Sequence, residues 1–369
     1  MTHGGVLTRS ALNRATLARQ SLIERARMSA LAAIEHLAGM QGQAPHAPYV
    51  GLWTRLDGFR ADELSELIAA RRAVRAPLMR ATLHLVSAAD FIGMRPVVQP
   101  VLERSFAGAP FDIAGVEVPT LLEAGQSLLA ERPRTRVELG AALAREWPEH
   151  DPASLAQAIT YLVPAVQVPP RGLWGTGGAA RWAAAEAWLG GAGDDVGAGS
   201  REVLFLRYLA AFGPATVRDV QTWSGLTRLA EVADRLRPSL RTFRDEQGNE
   251  LLDLPDAPRP DPSTPVPPRF LPEYDNLLLS HADRTRFITG GEQVPLPPGN
   301  GARFGPLLVD GTLSATWRIT SNSDAAVLHI EPFGGLTDRD AIAAEGERLL
   351  AFVVADAADR DVRFSSPRA

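Results

Sequence analysis

Three times in its first 290 residues the chain runs through one order of elements, amphipathic helices and then a pair of short extended runs. The first pass predicts a helix over 10–22 and another over 29–40, where Leu31, Ile34, Leu37 and Ala38 share one side. A Pro-led piece over 45–56 and a helix opening at 60–64, with Leu64, Leu67 and Ile68 together, complete it. Residues 73–76, Pro77 and 78–86 then read as a hairpin. The second pass opens at Pro119, gains an N-cap at Thr135, and is capped again at Asp151 for a helix ending near Tyr161. Extended runs over 165–169 and 180–182 follow, around a turn at 170–172 and glycines over 175–178. The third pass predicts helices over 203–212, 216–223 and 227–236, and strands over 240–243 and 250–254. Helices closed by a two-stranded ribbon are the order of a winged helix, so the chain reads as three of them in tandem.

The tail changes character. A Pro-rich stretch over 256–269 reads as a connecting loop. Residues 305–313 and 315–319 read as a hairpin around Asp310-Gly311, 325–332 as a strand, 338–355 as an amphipathic helix and 362–364 as a last strand. The predicted fold class is mainly α with β-ribbons (α+β). Its units are 1–110, 111–198, 199–290 and a small α+β domain over 291–369. The glycines over 190–199 lack a Lys and the Walker pattern, and read as a linker.

Composition removes several chemistries. No apolar run reaches the ~18 residues that span a bilayer, and the first residues hold no apolar leader core, so the expected location is cytoplasmic. There is no Cys, which removes disulfides and thiolate metal sites, and the seven His form no HExxH pattern; no metal and no cofactor are expected. There is also no Lys, so all 38 basic side chains are Arg, and a Lys Schiff base is excluded. The net charge of −5 conceals an asymmetry. Residues 1–110 hold 13 Arg against 8 acids, and the remainder 25 Arg against 35 acids, so the two parts carry +5 and −10. A basic front on an acidic body fits a localised polyanion site.

The candidate chemistry lies at Leu37-Ala38-Gly39-Met40-Gln41-Gly42-Gln43, where Pro45 bars the preceding helix from continuing. Gln does not titrate, so Gln41 and Gln43 can act only by hydrogen bonding. Just beyond a helix end both could converge on one water, with Gly42 allowing close backbone approach. Taken alone, the pair reads equally as a solvated helix terminus. Arg75, Arg80 and His84 on the first ribbon, and Arg171 and Arg181 on the second, are candidates for phosphate contact. His84 also reads as a half-buried ribbon His, and each Arg as an ordinary surface residue. Glu273, Tyr274 and Asp275 read as a Pro-anchored structural turn outside the catalytic set.

Several segments, in order, resemble one family. They are Leu12-Asn13-Arg14, Arg19-Gln20, Gly39-Met40-Gln41-Gly42-Gln43-Ala44-Pro45 running into Pro48-Tyr49-Val50-Gly51-Leu52-Trp53, and Met79-Arg80-Ala81-Thr82-Leu83-His84-Leu85-Val86. Arg171-Gly172-Leu173-Trp174, Ala180-Arg181-Trp182, Phe270-Leu271-Pro272-Glu273-Tyr274-Asp275-Asn276 and His281-Ala282-Asp283-Arg284 continue the match. The chain resembles the AlkZ-type DNA glycosylases, the winged-helix family that includes the YcaQ proteins. The resemblance implies a catalytic Gln-x-Gln motif at Gln41 and Gln43, with Gly42 where the family often has an aliphatic residue. It implies three winged helices around a concave, positively charged DNA channel, and a hairpin carrying Arg75, Arg80 and His84 to the duplex.

The implied substrate explains how two amides can suffice. A purine alkylated at N7 already carries positive charge and leaves without an acid, while the sugar passes through an oxocarbenium-like state that phosphates stabilise. With no Lys to open a Schiff base, the expected enzyme is a monofunctional glycosylase that leaves an abasic site. Family likeness further implies acceptance of bulky adducts and interstrand crosslinks; the three tandem units make dimerisation unnecessary, so the expected form is a monomer acting on double-stranded DNA near the nucleoid, in general repair or in self-resistance. A winged-helix transcription regulator is the alternative, weakened because the helix over 151–161 contains no Arg. A damage binder that leaves the bond intact is another.

Overall fold

Side-chain caps set where the first helices begin. Thr8, Ser29 and Ser87 each accept a hydrogen bond from the backbone N–H three residues ahead, and helices Arg9–Arg19, Ala30–His36 and Ala88–Ala107 start from them. The structure, a computed structural model, describes residues 3–190, 199–289, 304–322 and 324–366. Within them the fold is a mixed α+β arrangement of helices around three sheets. The predicted linker over 190–199 falls largely outside the described residues, since 191–198 are among those omitted.

The ribbons of the first two passes are joined. One six-stranded sheet runs Met40–Gln41, Leu83–Ser87, Ala73–Pro77, Ala165–Val168, Arg181–Ala184 and Arg134–Thr135 in spatial order, with Arg75 paired to Gln167 at the junction. The third ribbon, Arg241–Asp245 and Glu250–Asp253, takes on the strand His3–Leu7 in parallel. In the tail, Gly305–Val309, Thr312–Ser321 and Ala325–Pro332 form an antiparallel meander. It is flanked by Arg269–Phe270 and by Asp359–Phe364, and helix Arg339–Val353 packs against the sheet.

Two departures from the predicted elements bear on the site. The helix read over 29–40 ends at His36, because Ala38 and Gly39 take left-handed φ of 53° and 91° and turn the chain into the Met40–Gln41 strand. Gly39 is required there, since a Cβ would lie 2.7 Å from the Val86 side chain. The second departure is the 20-residue helix Ala88–Ala107, unexpected because it contains Pro96 and Pro100. Its buried Phe91, Met94, Val98, Val101 and Leu102 pack inward while Pro96 faces solvent, so core burial outweighs the hydrogen bonds the prolines remove.

The cores run across the three passes. One cluster gathers Ala38, Val74 and Val86 with Val166, Ala183, Phe205, Tyr208 and Trp223. Another joins Ile34, Tyr49 and Trp53 to Phe270, Trp317 and Leu349 of the tail. The Met40–Gln41 strand follows Ala38 of the first cluster and contributes Met40 to the second, beside residues of the tail. No described helix is long and apolar enough to cross a membrane.

Candidate active site

Gln41 ends the short edge strand Met40–Gln41 of the six-stranded sheet and Gln43 sits in the bend just after it, so neither is on a helix terminus. Gln41 pairs with His84 in antiparallel register. Next to it, the Gly42 N–H donates to the Leu83 carbonyl at 2.7 Å, and the Leu83 N–H donates to Oε1 of Gln43 at 3.3 Å. Arg75 closes the other side, its Nη2 donating to the Gly42 carbonyl at 2.5 Å. The Gln-Gly-Gln backbone is thus fixed by the first ribbon. Gly42 itself carries no left-handed strain, and a Cβ there would meet its neighbours at 3.4 Å or more.

The two amides look into different spaces. Gln41, 8% exposed, lines a cavity of about 10 Å³, room for roughly one water, together with Gln20, Arg55, Asp275 and Asn276. Its Oε1 accepts from Nη2 of Arg80 at 2.8 Å. Gln43 is half-buried and lines a groove of about 380 Å³ with Arg75, Arg136, Gln167, Arg171 and Trp182. The expected convergence of both amides on one water is not the arrangement here. Arg80 holds the carbonyl oxygen of Gln41 and the Leu83 N–H holds that of Gln43, which sets the two amides apart.

The arginines make the groove electropositive. Arg75 is 2% exposed, and its Nε and Nη1 have no hydrogen-bond partner among the described residues. Burial, and then the Arg171 cation, lower its pKa to about 10, so it remains charged at neutral pH. Arg136 lies over the Trp182 ring at 5.3 Å, and Arg171 donates to the Gly178 carbonyl at 2.8 Å. No carboxylate is among the described residues that line the groove.

The remaining sequence candidates fall elsewhere. His84, expected as a DNA contact, is fully buried; its Nδ1 bonds the Thr82 carbonyl at 2.9 Å, while Nε2 has no partner among the described residues. Burial and the Arg80 charge push its pKa down to about 3, which keeps the ring neutral. Its place on the inward side of the strand, opposite Gln41, accounts for this. Arg80 points into the molecule, its guanidinium held by Gln41, Asn276 and the Trp223 carbonyl. Arg181 is engaged with Glu138 at 3.0 Å and with the Pro133 carbonyl. Of the seven residues read from the sequence, the groove therefore gathers Gln43, Arg75 and Arg171.

Sequence reasoning missed Arg136, Arg55 and Asn276. Arg136 is the first residue of the helix capped by Thr135, and no local signal there marks it as part of a site. Arg55 pairs with Asp275 through two bonds of 2.8 Å, both side chains buried, and also reaches Oε1 of Gln20. Asp275 accepts from the Leu277 N–H at 2.9 Å within its turn, and Asp275 and Asn276 both line the cavity at Gln41. No group of three or more metal-ligating side chains occurs among the described residues.

Comparison with known proteins gives a consistent picture. A family model described as "DNA glycosylase AlkZ-like" matches residues 34–352. Among solved structures, Streptomyces sahachiroi DNA glycosylase AlkZ is similar to this chain with a TM-score of 0.69 at 16% sequence identity, covering 98% of this chain and 100% of that one. At that identity the likeness is one of fold. Among curated proteins there is no match.

Proposed function

The chain belongs to the AlkZ-like DNA glycosylase family, and from that membership we propose that it is a monofunctional glycosylase hydrolysing the N-glycosidic bond of N7-alkylated purines in duplex DNA. The observation that carries the finer reading is the groove at Gln43, which is lined by Arg75, Arg136 and Arg171 and by no carboxylate among the described residues. Such a surface attracts phosphate and offers no acid to protonate a leaving base. It therefore suits a base that is already cationic. Neutral purines, which need protonation to depart, are expected to be poor substrates.

In this reading Gln41 and Gln43 are the catalytic pair. Each amide is oriented by a fixed donor to its oxygen, Arg80 for Gln41 and the Leu83 N–H for Gln43, and hydrogen bonding to water is the role proposed for both. Positive charge developing at C1′ is stabilised by the DNA phosphates, which Arg171, Arg136 and Arg181 orient while Arg75 contributes charge from beneath. The helices and ribbons of the three passes act as winged helices around the duplex. Bulky adducts and interstrand crosslinks are included, since a groove does not require the lesion to be extruded into a closed pocket.

The test is release of base from duplex DNA bearing N7-methylguanine, with abasic sites counted in parallel. Wild type should release the base without strand cleavage, and Gln41→Ala and Gln43→Ala should each lose about 10²-fold in rate, the scale for removing one fixed hydrogen-bonding group. Tight binding with no release would replace this reading with that of a damage binder or regulator.

A further inference from the structure

We infer that Arg80 is a positioning residue, its guanidinium locking the orientation of the Gln41 amide from inside the protein rather than touching DNA. The inference rests on the glycosylase reading of Gln41. Its basis is a set of bonds with little freedom. Nη2 of Arg80 donates both to Oε1 of Gln41 at 2.8 Å and to Oδ1 of Asn276 at 2.9 Å, and Nη1 donates to the Trp223 carbonyl at 2.8 Å. A guanidinium has only donors, so the amide must turn its oxygen to Arg80 and its NH2 away. Asn276 in turn donates to the Gly39 carbonyl at 3.3 Å, two residues before Gln41, so both the backbone approach and the side chain of Gln41 are tied to one turn.

The surroundings hold Arg80 as firmly as it holds Gln41. Trp223 belongs to the last turn of helix Val217–Ser224, where outward carbonyls favour a cation. Gly225, which follows that helix, takes φ of 77°, and a Cβ there would lie 3.3 Å from the Arg80 backbone nitrogen and 2.7 Å from the Val101 side chain. Arg80 and Ala81 both adopt left-handed φ of 55°, a conformation that non-glycine residues keep only where packing over-determines it. No carboxylate lies within ion-pairing distance of Arg80 among the described residues. Its charge is spent on neutral oxygens, one of them the Gln41 carbonyl, which polarises that amide and strengthens its NH2 as a donor. An arginine committed in this way has no fork left for a phosphate.

The test compares Arg80→Met, Asn276→Ala, Gln41→Ala and the double variant Gln41→Ala/Arg80→Met in the full chain. Three readouts are followed: single-turnover release of N7-methylguanine, duplex affinity as a function of salt, and the side-chain amide NMR signals of Gln41, assigned by their loss in Gln41→Ala. Arg80→Met should slow release about 10- to 100-fold, the scale of a small misplacement of a reacting group, with duplex affinity and its salt slope unchanged. The double variant should be no slower than Gln41→Ala alone, and the Gln41 amide signals should shift. A weaker complex whose salt slope falls by about 1 would make Arg80 a phosphate contact and overturn the inference. So would multiplicative losses in the double variant. Should Arg80→Met fail to fold, Asn276→Ala keeps the cation and still predicts shifted Gln41 signals. If wild type releases no base, the glycosylase reading fails, while unmoved Gln41 signals in Arg80→Met or Asn276→Ala would refute the clamp itself.

Discussion

Replacing Asp275 with Asn tests whether the candidate site is braced from within. Arg55 donates from Nη1 and Nη2 to the two Asp275 oxygens, each at 2.8 Å, with the side chains 3% and 4% exposed. In Asp275→Asn one oxygen becomes an NH2 facing an N–H donor, and the guanidinium keeps a single neutral acceptor there. Its other contacts, to the Gly51 carbonyl at 3.1 Å and Oε1 of Gln20 at 3.2 Å, are longer and uncharged. Leaving one partner of a buried pair without its counter-charge costs about 3–5 kcal/mol, and the two surviving contacts favour the lower end, about 3 kcal/mol. Urea unfolding followed by tryptophan fluorescence reads this directly, since Trp53 lies on the same helix as Arg55, Ala47–Arg55. The double variant Arg55→Met/Asp275→Asn removes the stranded charge and should regain at least half of the loss. A cost under about 1 kcal/mol for Asp275→Asn, the size seen for exposed pairs, would refute the reasoning by showing the pair to be hydrated.

Other perturbations have signs that follow from the same geometry. Gly140→Ala, in helix Arg136–Leu143, should destabilise by about 1–3 kcal/mol despite the better helix propensity of Ala, because the new Cβ would lie 2.3 Å from the Pro152 carbonyl oxygen; a raised thermal midpoint would contradict the packing. Gly42→Ala should keep base release near wild type and leave stability unchanged or higher by about 0.4–1 kcal/mol, since its φ is ordinary and its Cβ contacts are no closer than 3.4 Å; a loss of release beyond tenfold would mean that the backbone at Gly42 must move. His84, held neutral by burial with its pKa near 3, takes up its proton in the unfolded chain near 6.5. Its contribution is therefore complete above that value and falls as the pH drops toward 3, by about 1.4 kcal/mol per pH unit. Urea midpoints measured from pH 7 to pH 4 should flatten by that slope in His84→Asn, and equal slopes would show that the ring is charged or exposed in the native state.

Local chemistry made much of the fold legible. Thr135 caps its helix with Glu138 in a reciprocal box, Asp151 caps the next, the Asp310-Gly311 turn joins two strands, and Ala325–Pro332 is a strand as expected. Each of these signals is contained within a few residues. The helix Ala88–Ala107 was not legible because its prolines speak locally against it, and only the core on its inner side speaks for it. The candidate site was legible in part for the same reason. Gln41 and Gln43 lie close together in sequence and read as a pair, but the bonds that orient the site span 39 residues from Gln41 to Arg80, 196 from Arg80 to Asn276 and 220 from Arg55 to Asp275. Helical periodicity running up to Ala38 even favoured the wrong element for Gln41, since nothing local announced the partner strand Leu83–Ser87. Neutral amides make this dependence acute. A carboxylate carries its chemistry wherever it is placed, whereas a glutamine acquires a direction only from the donors and acceptors that fix its two ends. Here those fixing groups are contributed by the first ribbon, by the end of a helix in the third pass and by the turn before the tail, so the direction of Gln41 is set by the whole topology and not by its own segment.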